Sequence, residues 1–354
     1  MKHLLKITVA GIALTAGTAF AGGIERSSQS VGVLFEEGTY GEVTFSTVSP
    51  SVSGTFGGVI PSGDMAASYQ NYSFSYKQDL GENLSFALIV DQPIGANVAY
   101  PSAGAYPFAG STATLNSHAV TGFLRYKFPS NVSIYGGLRA QSVTADLNVV
   151  GQAPLPGVAS YSLHVGTDIA YGYAFGVAYE KPEIALRIAL THNSEITHSL
   201  SDNAGTSFDV IIPKSWNLEF QSGVAKDTLV FGSIRWVEWT AFNISPPDYA
   251  LGTLADGKSN TISYTLGVGR KFSDKWSGAV ILGYENDGGV PVGNLGPTDG
   301  NKSIGLAATY KVNNVKITGG IRYIKIGDAT TTSIGSNFAG NSAIAMGLKI
   351  GVNF

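Results

Sequence analysis

No cysteine occurs in the chain, which excludes a disulfide scaffold and a thiolate metal site. Charge is scarce too. Only 13% of the residues are Asp, Glu, Lys or Arg, against ~25% in an ordinary soluble domain. Beyond the first twenty or so residues no apolar run reaches the ~20 residues that a membrane-spanning helix needs. The net charge is −3, and no basic excess points to a nucleic-acid partner. Catalytic signatures are missing as well: there is no HExxH, no nucleophile elbow and no phosphate loop. His118, His164, His192 and His198 are scattered, and His192 and His198, on one strand, would stand ~20 Å apart in extended chain. A lipase-like Ser/His pair on an outer wall would have to use His118 or His192, but parity puts no Asn or Asp beside either. No enzyme, no metal and no cofactor are therefore expected.

What is present is glycine, 45 of them, with 17 tyrosines and 17 phenylalanines, a composition suited to strands, tight turns and interfacial aromatic girdles. The last segment shows the governing pattern. Ile344, Met346, Leu348, Ile350, Val352 and Phe354 alternate with Ala345, Gly347, Lys349, Gly351 and Asn353. Period 2 sends the two sets to opposite faces of a strand. Repeated along a chain, apolar-out and polar-in alternation describes a barrel with lipid outside. The start fits that address. Lys2 and Lys6 precede an apolar stretch, Ile7 to Phe20, that ends at Ala19-Phe20-Ala21, which reads as a secretory signal over residues 1–21. Its removal takes the charge from −3 to −5. A Gram-negative outer-membrane protein is expected.

Turn signals and alternation predict fourteen strands at 39–53, 67–80, 84–100, 113–128, 132–149, 159–180, 184–199, 208–225, 229–244, 260–272, 276–287, 300–312, 315–328 and 341–354. The fold class is all-β: a 14-stranded antiparallel transmembrane β-barrel over residues 39–354, with a short N-terminal lumenal plug over 22–38. Tight turns such as Gly81-Glu82-Asn83 and Asn313-Asn314 alternate with longer linkers such as 54–66, 101–112 and 329–340, as short periplasmic turns and longer external loops should. An even strand count puts both ends of the barrel on the periplasmic side. Charges collect on the parity opposite to the apolar stripes: Lys77, Arg125, Arg139, Arg187, Glu219, Arg322 and Lys349. A charge facing lipid at mid-membrane costs ~2–4 kcal/mol, so these should form a lumenal charged collar in the periplasmic half. In the ninth strand Arg235 and Glu238 fall on opposite parities, and a β-bulge between them would bring both inward.

Two segments break the pattern. Residues 22–38 do not alternate, and they read either as a disordered periplasmic tail or as a plug. The plug would cover Ile24, Val31, Val33, Leu34 and Phe35. Its acids Glu25, Glu36 and Glu37 would neutralise part of the collar. In the third strand Leu84, Phe86, Leu88 and Val90 alternate, and then comes Asp91-Gln92-Pro93-Ile94-Gly95-Ala96. Pro93 cannot donate to a ladder, and a closed barrel has no edge strand to accommodate it. This is either a harmless bulge or a functional lateral opening, because unpaired backbone at membrane depth is expensive.

Gly23-Ile24-Glu25-Arg26-Ser27-Ser28-Gln29-Ser30-Val31, Val48-Ser49-Pro50-Ser51-Val52-Ser53-Gly54, the Asp91–Ala96 break and Arg235-Trp236-Val237-Glu238-Trp239 together resemble the FadL/TodX family. Its members are outer-membrane transporters of long-chain fatty acids and other hydrophobic compounds. The resemblance spans the chain after residue 21. It implies a monomer set in outer-membrane lipid and lipopolysaccharide that captures a hydrophobic small molecule and releases it by lateral diffusion through the kinked third strand. Carried onto this sequence, the lateral-opening kink is Asp91, Gln92, Pro93, Ile94, Gly95 and Ala96. The plug, with Ile24, Glu25, Arg26, Val33, Phe35 and Glu36, would gate it. The plug is shorter than the family's usual one, and the linker near 150–158 lacks the long external loops that form an outer capture groove. The rival reading is a water-filled porin for small anionic solutes, using the basic lumen. A surface adhesin is a third, with modest loops against it.

Overall fold

The structure is a computed structural model that describes residues 24–151 and 159–354. The expected signal at 1–21 lies outside the described residues, as do Gly22, Gly23 and most of the linker near 150–158. The barrel strands, in chain order, are β1 (Tyr40–Ser51), β2 (Tyr69–Asp79), β3 in two pieces (Leu84–Asp91 and Gly95–Ala99), β4 (Thr112–Lys127), β5 (Val132–Val149), β6 (Tyr161–Lys181) and β7 (Leu186–Asn193). They continue as β8 (Ser215–Ala225), β9 (Thr228–Val237), β10 (Thr261–Lys271), β11 (Trp276–Glu285), β12 (Asn301–Val312), β13 (Val315–Ile326) and β14 (Ser342–Asn353).

Each strand pairs antiparallel with its neighbours in sequence, and β14 closes the ring on β1, from Tyr40↔Asn353 to Ser51↔Ser342. The expected all-β, 14-stranded antiparallel barrel is thus the observed one. Closure pairs the strands all round the ring except at the break in β3, and it is how a sheet satisfies its backbone in lipid. The outward set is mainly apolar: Leu138 and Tyr171 are each 77% exposed, and Leu306, Leu282 and Met346 are about half exposed. Such a belt would be an aggregation surface in water, and it is stable only against hydrocarbon.

Buried apolar side chains form a small cluster around Leu229, Phe231 and Ile281 and two larger ones. One of the larger, at the end carrying the long loops, holds Val52, Ile94, Leu115, Leu147, Phe242 and Phe338. The other, toward the tight turns, holds Val33, Leu34, Tyr40, Ile89, Phe123 and Tyr135. Inward aromatic rings need room beside them. At Gly137, for example, an added Cβ would lie 2.8 Å from the Phe123 ring, so any larger residue would force the ring aside. The loop end is capped by a small four-stranded sheet (Gly54–Phe56, Ile60–Pro61, Ala329–Thr330, Asn337–Phe338) and a hairpin, Ile196–Ser201 with Ser207–Ile212.

Three expectations differ from the structure. The seventh and eighth strands are not continuous over 184–199 and 208–225: they stop at Asn193, give way to the hairpin arms, and resume at Ser215. Pro213, which has no N–H to donate, sits at one of these breaks. The ninth strand ends at Val237 rather than 244, and a 3-10 turn follows at Trp239–Ala241. No bulge separates Arg235 from Glu238, since β9 and β8 stay in register up to Val237. Glu238 has instead left the ladder and pairs with Lys214 at 2.8 Å. The register shifts in the barrel fall at Gly223/Ala225 and Val143/Ala145.

Candidate functional site: an interrupted wall closed from inside

The first piece of β3 pairs on both sides, with β2 from Phe74↔Val90 to Asp79↔Ser85 and with β4 from Leu84↔Tyr126 to Asp91↔Ala119. The second piece pairs with β4 alone, from Gly95↔Asn116 to Ala99↔Thr112. Between them Gln92, Pro93 and Ile94 leave the ladder, opposite only Ser117 and His118 of β4. The Ser117 hydroxyl bridges the defect, donating to the Ile94 carbonyl at 2.7 Å and accepting from the Ile94 N–H at 2.9 Å. On the β2 side the Tyr72 N–H donates to the Gln92 side chain at 2.9 Å in place of a backbone partner. Above the gap the wall re-forms through loop residues: the Ala99 N–H donates to the Met65 carbonyl, and the Ala67 N–H to that of Asn97.

The gap is covered on its lumenal side by Ile24–Ser27. The Gly95 N–H donates to the Ile24 carbonyl at 2.7 Å, and the Arg26 N–H to the Pro93 carbonyl at 2.9 Å. Arg26 then reaches along the second piece of β3, donating from Nε to the Gly95 carbonyl and from Nη2 to Asn97 Oδ1, both at 2.9 Å. Its guanidinium lies 3.1 Å from the centroid of the Tyr69 ring. The Ser27 hydroxyl donates to Asp91 Oδ2 at 2.5 Å. An added Cβ on Gly95 would lie 3.0 Å from both Arg26 Nε and the Leu115 carbonyl, so a small residue there is what lets the segment approach. Breaking the ladder exposes backbone groups, and residues 24–27 satisfy them.

The rest of the segment descends the lumen on a series of polar holds. Glu25 pairs with Arg235 at 2.6 Å, both side chains almost fully buried, and Arg235 also donates to Ser215 and Asn217. Arg139 donates to the Gln29 side chain, Thr121 and Asn193. Glu219 accepts from the Ser30 hydroxyl and the Val31 N–H. Arg125 donates to the Leu34 carbonyl and pairs with Glu180. Arg125 and Arg187 both stack on Phe35, at 4.5 and 4.8 Å. Val33 is buried beside them, and Glu36 pairs with Lys316 at 3.1 Å. Of the charges assigned to the lumen, Lys77, Arg125, Arg139, Arg187 and Glu219 therefore meet the N-terminal segment, Lys77 by donating to the Gly38 carbonyl at 3.0 Å. Lys349 instead pairs with Glu42 at 2.9 Å, and Arg322 lies beside Gly305.

Sequence reading overlooked Asn217, Ser117 and Lys316. Lys316 carried a signal: it stands on the parity opposite to Val315 and Ile317 in β13. His118 and His192 lie on the outer wall in aromatic company, His118 against Tyr72 and His192 against Trp216 and Phe175. Among the described residues no group of three His, Asp or Glu could hold a metal ion.

Two cavities lie beside the gap. The larger is partly open to solvent, and Ile24, Ala96, Leu115, Leu147, Trp239 and Leu254 are among its lining. The smaller is a narrow space walled by apolar side chains including Ile94 together with His198. Leu115, Ala145, Leu147, Phe242 and Ile244 border both, so the two are neighbours. The site is thus a mainly apolar chamber at the loop end, with Asp256, Lys258 and Asp299 also in its lining, a break in the wall at its foot and one segment of chain lying against both.

These features define a class: a closed barrel of fourteen strands with an interrupted third strand and an N-terminal segment inside. No protein-family model matches the sequence, and no curated protein matches it. Solved structures do. A Pseudomonas aeruginosa FadL homologue superposes with a TM-score of 0.73 at 13% identity, covering 91% of this chain and 92% of its own. The P. putida toluene transporter TodX gives 0.65 at 12%, covering 90% and 91%. The Ralstonia pickettii toluene transporter TbuX gives 0.63 at 12%, covering 91% and 90%. The chain has the fold of the FadL/TodX channels.

Proposed function

We propose that the protein is an outer-membrane channel that takes up hydrophobic compounds, long-chain fatty acids among them, and releases them sideways into the bilayer through the gap in β3. The observation that carries this reading is the double position of Ile24: its side chain lines the larger cavity, and its carbonyl closes the wall at Gly95. Withdrawal of residues 24–27 would open chamber and wall together. Residues 22–38 then act as the plug, the lumenal arginines hold it, and residues 1–21 are removed on export. A lateral exit spares an apolar solute the polar core of a conventional pore. The matched structures, a FadL homologue and two toluene transporters, agree with this class of cargo. The filled lumen and apolar chamber speak against a water-filled porin.

The test is uptake of labelled oleate by cells lacking their own importer, at matched surface expression. The wild type should import, and a variant with Pro93→Val and Gly95→Val, which restores a straight strand, should not. Uptake that survives straightening removes the lateral exit. No uptake by the wild type removes fatty acids as cargo.

A further inference from the structure

The outer wall carries two lysines that no acid of the chain neutralises. Lys302 on β12 and Lys325 on β13 stand directly opposite each other across the antiparallel ladder, and both are exposed. Lys302 shares the parity of Ile304 and Leu306, and Lys325 that of Tyr323 and Ile321. Both therefore lie on the lipid side of the wall, at the loop end where the apolar belt stops. Like charges facing each other across a ladder repel and destabilise the pairing. Lys214 and Lys258 at this end have acidic partners, Glu238 and Asp256, whereas Lys302 and Lys325 make no ion pair among the described residues. A single lysine at a membrane rim needs only water for its ammonium group. Two in register concentrate positive charge at one place.

The groups around the pair describe what would cover it. On the same face Tyr284 stands opposite Lys302, and Ser342 opposite Lys325. One step toward the membrane centre, Ile304, Tyr323 and Ile344 are each about half exposed. The two lysines also line an open hollow at the strand ends, together with Asp287 and Asp328. Both of these acids lie on loops past the strands, and the Asp328 carboxylate accepts from the Gly340 N–H. Two further acids of the hollow are engaged: Glu285 accepts from Ser263 and Asn301, and Asp299 from the Gly288 and Gly289 N–H groups. The lipid-facing side is left to the two ammonium groups. A partner with negative charge at the rim and hydrocarbon just below it fits this order, and ammonium groups beside hydroxyl donors suit phosphate oxygens.

We propose that Lys302 and Lys325 form a docking site for the phosphate of an outer-leaflet glycolipid, the lipid part of lipopolysaccharide, whose acyl chains lie over Ile304, Tyr323 and Ile344. The phosphate turns a repulsive pair into a bridged one and fastens the β12–β13 wall in its membrane. This rests on the outer-membrane placement above and is independent of the cargo and its exit.

The test uses the full-length barrel in nanodiscs that contain lipid A or its dephosphorylated form, with retained lipid read by native mass spectrometry. The wild type should retain the phosphorylated lipid at least tenfold over the other. Lys302→Gln with Lys325→Gln should abolish that preference. Lys226→Gln with Lys275→Gln, at the tight-turn end, should keep it. Millimolar inorganic phosphate should not displace the lipid. Equal retention of both lipids by the wild type, or a preference that survives the loss of Lys302 and Lys325, overturns the proposal. Displacement by inorganic phosphate assigns the site to the free ion and overturns it too. A barrel that imports nothing but keeps the lipid preference removes the uptake reading alone. The wild-type comparison of the two lipids decides the matter even where the double variant does not fold.

Discussion

Glu25→Gln is the sharpest perturbation of the closed state. Glu25 and Arg235 are 210 positions apart in the chain, and their side chains are 5% and 7% exposed. The substitution keeps shape and removes charge, leaving the Arg235 guanidinium with the neutral Ser215 and Asn217 as partners. Removing one member of a buried pair costs about 3–5 kcal/mol. A neutral amide still accepts a hydrogen bond from Arg235, so the lower end, about 3 kcal/mol, is expected here. That loss falls on residues 24–27 and not on the barrel, which has its own closed ladder. At 1.4 kcal/mol per decade it corresponds to about a 100-fold rise in the opening equilibrium. The assay is amide hydrogen exchange. The Arg26 and Gly95 N–H groups, which bond across the segment and the gap, should exchange about 100-fold faster. Amides in the β12–β13 ladder, such as those around Leu306↔Ile321, should not change. Acceleration under threefold at Gly95, or an equal rise in β12, refutes the reasoning. Adding Arg235→Gln to Glu25→Gln removes the stranded charge and should recover part of the protection.

Gly95→Ala places a methyl 3.0 Å from Arg26 Nε and from the Leu115 carbonyl. It should loosen the segment by the same exchange readout without unfolding the barrel, checked by heat-modifiable gel migration. Tyr69→Phe removes a hydroxyl that has no partner and keeps the ring under Arg26. It should change Gly95 exchange less than threefold, whereas Tyr69→Leu forfeits a cation–π contact of about 1–2 kcal/mol and should raise exchange roughly tenfold. Leu306 faces outward in mid-strand, 56% exposed to the hydrocarbon side. Leu306→Arg should lower barrel stability by about 2–4 kcal/mol, read as a denaturant-midpoint shift during refolding into liposomes.

Alternation in residues such as Ile344 to Val352 determined the strand count, the antiparallel ring and which parity faces lipid, because period 2 is a property of each strand alone. Parity likewise pointed Arg125, Arg139 and Arg187 inward, and Pro93 marked the break in β3 because proline lacks a donor wherever it stands. Tertiary structure alone decided what meets those groups. The ends of β7 and β9 depended on hairpin and loop packing that Ile196 and Glu238 do not announce. The partners of lumenal cations such as Arg235 and Lys316 and the carbonyl that closes Gly95 depend on chain segments far apart in sequence. Alternation tells which face a side chain takes, but closing the barrel sets which distant residue it finds there.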